Sequence, residues 1–168
     1  MRIRIAMRKI ILLAVFFTAT LSLQELDAQE APALQGPVMQ EAQTALSRGA
    51  TYLAEGSFAQ AEADYRKALA LGEREHGAYN LGNEYHLRGQ NKEALFRYKQ
   101  AAREASSYES KHRAFHNLGN AFMKEKMYQE AVEAYKDALR SNPDDDESRY
   151  NLAVAQDLLE KNPPPPDE

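Results

Sequence analysis

The 168-residue chain contains no cysteine, which removes disulfide staples, thiol nucleophiles and cysteine-based metal sites from consideration. It also lacks a basic excess. The first 28 residues hold four cations (Arg2, Arg4, Arg8, Lys9) and two anions (Glu25, Asp27), and the 140 residues after them carry 17 positive and 23 negative charges. An acidic domain gains no long-range attraction toward phosphate backbones, so nucleic acid is not an expected partner. The apolar run Ile10 to Leu23 is 14 residues long and already includes Thr18, Thr20 and Ser22, whereas a helix crossing a bilayer needs roughly 20 apolar residues. Strand signals are missing from the body of the chain, and Gly and Pro are sparse there.

The basic start, the short apolar run and a small residue near its end read as a secretory signal peptide over residues 1–28, cut after Ala28. An uncleaved membrane anchor is the alternative. Either way the remainder lies outside the cytoplasm, in the periplasm of a Gram-negative source. A linker over 29–38 follows, with Pro32, Gly36 and Pro37. A helical domain spans 39–161. The acidic tail 162–168 has four consecutive prolines that cannot continue a helix, so it is a frayed end or a docking peptide.

Within the helical domain the sequence repeats. Asn80-Leu81-Gly82, Asn117-Leu118-Gly119 and Asn151-Leu152-Ala153 align, and Gly49, Gly82 and Gly119 are separated by 33 and 37 residues. Twelve residues after each glycine comes an Ala (Ala61, Ala94, Ala131), then a Tyr (Tyr65, Tyr98, Tyr135), then a second Ala (Ala68, Ala101, Ala138). Small residues belong where two helices cross closely, and tyrosines fill the space beside them. Gly56 and Gly89 fall between paired helices, where positive φ is needed, and Lys126 takes that place in the third unit. Asn142-Pro143 ends the third unit. The predicted helices are 39–54, 58–71, 75–88, 91–105, 110–124, 128–140 and 146–161. The three extra residues of the longer spacing fall around Ala105–Ser110, in a helix or its loop.

This pattern resembles the tetratricopeptide repeat (TPR), a helix–turn–helix of about 34 residues, over copies at 42–75, 75–108 and 112–145. The resemblance implies an all-α solenoid of three such repeats with a C-terminal capping helix. Three positions depart from the repeat: Arg48 replaces a Leu, and Glu73 and Ser106 replace the closing proline. The family's geometry places the first helix of each unit along a concave groove. The implied peptide-binding residues are His76, Tyr79, Asn80, Asn83 and His86, then Arg113, His116, Asn117, Asn120 and Met123, then Tyr150, Asn151 and Val154. Gln43, Leu46, Ser47, Ala50 and Leu53 form the first wall. An Asn amide both donates and accepts, as the backbone of an extended peptide requires, although such amides also bridge neighbouring helices. Only Arg113 offers a cation, too few for a full carboxylate clamp. On this reading, replacing Asn80 and Asn117 by Ala leaves thermal unfolding nearly unchanged and weakens binding.

The sequence points away from an enzyme. No nucleophile elbow or phosphate loop frames its Ser, His and Asp residues. His112 and His116, four apart, share a helix face, but two ligands beside the cation Arg113 predict no metal, and no cofactor or small-molecule substrate is expected. Ala114-Phe115-His116-Asn117-Leu118-Gly119-Asn120, then Tyr150-Asn151-Leu152-Ala153, then the proline run after Asn162, is similar to the TPR members of the bacterial aerotolerance (Bat) operon. That resemblance implies an extracytoplasmic scaffold for membrane proteins with von Willebrand factor A domains. An accessory role in envelope assembly is the alternative.

Overall fold

The computed structural model describes residues 36–163. Residues 1–35 and 164–168 lie outside the described residues, and with them the predicted signal peptide, most of the linker and most of the proline-rich tail. By its internal contacts the chain divides after Gln40, and of the first unit only residues 36–40 are described, as helix. The second unit, Glu41–Glu168, holds α1 (41–54), α2 (Phe58–Ala70), α3 (Arg74–Leu87), α4 (Asn91–Glu104), α5 (Tyr108–Lys124), α6 (Tyr128–Ser141) and α7 (Asp146–Lys161). From α2 onward each helix packs on the next, and α3 also reaches α5. This nearest-neighbour order is that of an α-solenoid. Among the described residues all regular structure is helical, as the missing strand signals predict. The extra residues of the long spacing lengthen a helix: α5 has 17 residues, starts two residues earlier than predicted, and is capped by the Ser107 hydroxyl accepting from the Ser110 N–H.

The repeat residues meet where the spacing predicts. Ala61, Ala68, Ala94, Ala101, Ala131 and Ala138 are all fully buried. Each repeat glycine faces the ring of the tyrosine sixteen residues later. A Cβ added at Gly49 would lie 2.7 Å from Tyr65 Cε1, at Gly82 2.7 Å from Tyr98 Cε1, and at Gly119 2.5 Å from Tyr135 Cε1. A side chain there would push the helix pair apart, so glycine is what lets the buried ring lie on the opposing backbone. Ala153, the fourth member of the series, is exposed on α7, since among the described residues no helix packs on it.

Between paired helices Gly56 and Gly89 take φ of 76° and 74°, and Lys126 is forced to 59° at the equivalent place. Pro143 is exposed just past the end of α6, so it stops a helix and does not pack between repeats. Two of the departures from the repeat pattern, Arg48 and Ser106, make local contacts. Arg48 forms a two-pronged pair with Asp64, its Nε donating to Oδ2 at 2.6 Å and a second nitrogen to Oδ1. Asp64 is thereby buried on α2 with its charge matched. Ser106, in place of a proline, donates its N–H and hydroxyl to Glu75 Oε2 at 2.8 and 2.9 Å, which ties the α4–α5 turn to α3.

Candidate peptide-binding face

The predicted groove residues lie on α3, α5 and α7, where the fold builds a ladder of side chains. Asn83 Oδ1 accepts from the Tyr98 hydroxyl at 2.8 Å and from Asn117 Nδ2 at 3.1 Å. One unit later Asn120 Oδ1 accepts from the Tyr135 hydroxyl at 2.6 Å and from Asn151 Nδ2 at 3.3 Å. Burial raises the pKa of Tyr98 and Tyr135 well above that of a free phenol, so both hydroxyls stay protonated and donate. The two rungs are equivalent. In each, the residue after the repeat glycine receives the tyrosine of its own unit and the asparagine of the next.

Beside this ladder is a cleft of about 320 Å³ lined by Tyr79, His112, Arg113, His116, Asn117, Asn120, Asp145 and Glu147. Five of the predicted groove residues therefore meet here: Tyr79, Arg113, His116, Asn117 and Asn120. The Arg113 guanidinium lies over the Tyr79 ring, 5.3 Å from its centroid, and the Tyr79 hydroxyl accepts from Asn117 Nδ2 at 3.1 Å. Asn83 and Asn151 join through the ladder.

The others are placed differently. His76 is exposed and its Nδ1 lies 3.1 Å from Glu73 Oε2. Tyr150 is 70% exposed on α7, so it offers a surface ring. Leu46, Leu53 and Met123, like Tyr79, pack partly buried against the core. His86 Nδ1 lies 3.1 Å from Asn91 Oδ1. Asn80 is half-buried on α3 and has no side-chain hydrogen-bond partner among the described residues. The position after Gly49, equivalent to Asn83 and Asn120, is Ala50, which has no side-chain oxygen to offer.

Asn117 and Asn80 therefore differ. Asn117 ties α5 to α3 through two hydrogen bonds, so its loss bears on stability, contrary to the sequence-based expectation for the paired substitution. Asn80 has no such duty.

Three residues of the cleft could hold a metal. His112 and His116 project from one face of α5, and the α7 N-cap brings Asp145 to them, with ligand atoms of the three within 4.8 Å of one another. Sequence reasoning missed Asp145. The run Asp144–Glu147 is legible as an acidic helix start, but nothing in it tells that the start packs on His112. Asp145 Oδ2 accepts from the Ser148 N–H at 2.7 Å. Hydrogen bonding by the Ser148 side chain outweighs the desolvation that acts the other way, and with the Ser148 N–H and nearby His112 it holds the Asp145 carboxyl down at about 2.

Residues 42–71 and 112–145 match family models described as tetratricopeptide repeat. The N-terminal domain of stress-induced protein-1 from C. elegans is similar at 19% identity, covering 71% of this chain and 97% of that one, with a TM-score of 0.67. The first TPR of Spaghetti bound to an HSP90 peptide is similar at 20% identity, over 73% and 95% of the two chains, with a TM-score of 0.65. The Sgt2 TPR domain from Aspergillus fumigatus is similar at 22% identity, over 76% and 87%, with a TM-score of 0.62. No curated protein matches. Residues 75–108, between the two matched segments, are built from the same contacts, and the chain is an all-α solenoid carrying tetratricopeptide repeats.

Proposed function

We propose that the protein is an exported interaction scaffold that holds an extended segment of a partner along the α3–α5–α7 face. A tetratricopeptide solenoid supports protein–protein interaction in general. The finer reading is carried by one observation: the cleft collects Tyr79, Arg113, Asn117 and Asn120, and the residue after Tyr79 is an amide, Asn80, that no neighbour uses among the described residues. Amides satisfy the alternating donors and acceptors of an extended backbone, at about 0.5–1.5 kcal/mol net per hydrogen bond. Tyr79 and Arg113 supply a flat apolar face and a cation. The similar domain of Spaghetti holds an HSP90 peptide, and the same mode of use is proposed here for a different ligand. Export rests on the basic start and short apolar run of residues 1–28. The likeness to aerotolerance-operon members supports membrane proteins with von Willebrand factor A domains as the partners. The fold is one that generally serves as a non-enzymatic scaffold.

A peptide array drawn from those membrane proteins, followed by calorimetry with the full chain, tests the reading. Asn80→Ala should keep the wild-type melting temperature and weaken the bound peptide several-fold. Equal affinity in that variant removes the groove assignment. Mass spectrometry of protein recovered from the periplasm should find Gln29 as the first residue, and recovery from the cytoplasm with residues 1–28 intact removes the export assignment.

A further inference from the structure

We infer that His112, His116 and Asp145 form a binding site for one divalent transition-metal ion of the zinc class, clamping α5 to α7. The site shares this cleft, and His116, with the peptide reading but does not rest on it. Zinc takes imidazole nitrogens and carboxylate oxygens at about 2.0–2.2 Å, and two ligands in a tetrahedron then stand about 3.3 Å apart. His112 Nε2 is 3.2 Å from Asp145 Oδ2, and His116 Nδ1 is 3.8 Å from the same oxygen.

A second observation points the same way. His112 Nε2 is buried and, although 3.2 Å from Asp145 Oδ2, makes no well-aligned hydrogen bond among the described residues. A buried ring nitrogen without a partner costs free energy unless something takes its lone pair, and an ion between it and Oδ2 does so. The His116 ring is set up as a ligand as well. Its Nε2 lies 3.4 Å from Glu147 Oε1, so that carboxylate favours the proton on Nε2 and leaves the Nδ1 lone pair on the side of Asp145. An ion at Nδ1 would displace the Ser148 hydroxyl, which now lies 2.8 Å from it.

The charge balance also fits. Asp145 and Glu147 together outweigh the partial positive charge at the start of α7, and the Arg113 guanidinium is drawn onto Tyr79. Three protein ligands leave the fourth position to water from the 320 Å³ cleft.

The full chain, stripped with chelator, is titrated with zinc chloride by calorimetry, and cobalt(II) is added separately to record its visible absorption. The expected result is one equivalent bound at micromolar Kd or tighter, a tetrahedral cobalt band, and a higher melting temperature with zinc. His112→Gln should weaken zinc binding at least about tenfold while still folding, because the polar amide can keep a contact to Asp145 and Nε2 has no well-aligned hydrogen bond to lose. Asp145→Asn keeps an acceptor at the helix cap and should weaken binding similarly, while His76→Ala should not change it. Absence of binding, or unchanged affinity in His112→Gln, overturns the site and leaves the cluster as a bridge between helices.

Discussion

Gly119→Ala sets two known effects against each other. Alanine is favoured over glycine inside a helix by about 0.8–1.0 kcal/mol, so propensity alone predicts a more stable protein. The new Cβ, however, would stand 2.5, 2.7 and 2.8 Å from Cε1, Cδ1 and Cζ of Tyr135. That ring cannot step aside cheaply. It is fully buried, it meets His116 edge-on with centroids 6.0 Å apart, and its hydroxyl is held by Asn120 at 2.6 Å. Overpacking of this kind costs about 1–3 kcal/mol, and displacing the hydroxyl forfeits about 0.5–1.5 kcal/mol more. The net expectation is a loss of roughly 1–3 kcal/mol, which lowers Tm by roughly 4–12 °C for a domain of this size. Thermal unfolding followed by circular dichroism measures it. The companion experiment places Gly119→Ala in a Tyr135→Leu background, where the clash is relieved and alanine's propensity should emerge as stabilisation. A single variant that melts at or above the wild-type temperature refutes the close crossing.

Three further outcomes are expected. Lys126→Gly should raise Tm, because a lysine at φ 59° bears a left-handed penalty of roughly 1–2 kcal/mol that glycine avoids. Hydrogen bonding by Arg48 is the main cause holding Asp64 below its ordinary pKa. Its stabilisation is therefore present above the unfolded value, near pH 4, and is lost as pH falls through the folded one, so the gap between wild type and Asp64→Asn in denaturant titrations should shrink on acidification. Asn117→Ala should lower stability by about 1 kcal/mol in the same titrations, while Asn80→Ala leaves it unchanged.

The fold was legible because the repeat fixes local geometry at many positions at once. Gly82 and Gly119 mark helix crossings, Gly56 and Gly89 mark turns, and the boundaries between them follow. Lys126 occupies the turn position by alignment, and its strained φ follows from that register. The candidate site was less legible because it depends on what lies across from each residue. Asn80 and Asn117 are the same residue at equivalent positions, yet the unit before Asn117 supplies Asn83 as its partner, while the equivalent position before Asn80 is Ala50. The pairing that brings Asp145 to His112 joins residues 33 apart, which periodicity of the core does not encode. Met123 and Leu53 are partly buried against the core, because an apolar side chain at a helix edge gains by turning part of its surface to the core.

The missing rung suggests how stability and binding trade against each other on this face. Ala50→Asn places an amide after Gly49, where Asn83 and Asn120 stand in the later units. Its oxygen would accept from Asn80 Nδ2 and from the Tyr65 hydroxyl, as theirs accept from Asn117 with Tyr98 and from Asn151 with Tyr135. Two added hydrogen bonds contribute about 1–3 kcal/mol together, against about 0.7 kcal/mol lost in helix propensity. The variant should melt at a higher temperature, and Asn80→Ala should remove part of that gain. It should also bind peptide more weakly, because the amide that was open to a ligand is now occupied by its neighbour. A variant that gains stability and keeps full affinity would mean that Asn80 is not where the ligand sits. A variant that gains none would mean that α1 does not stand to α3 as α3 stands to α5.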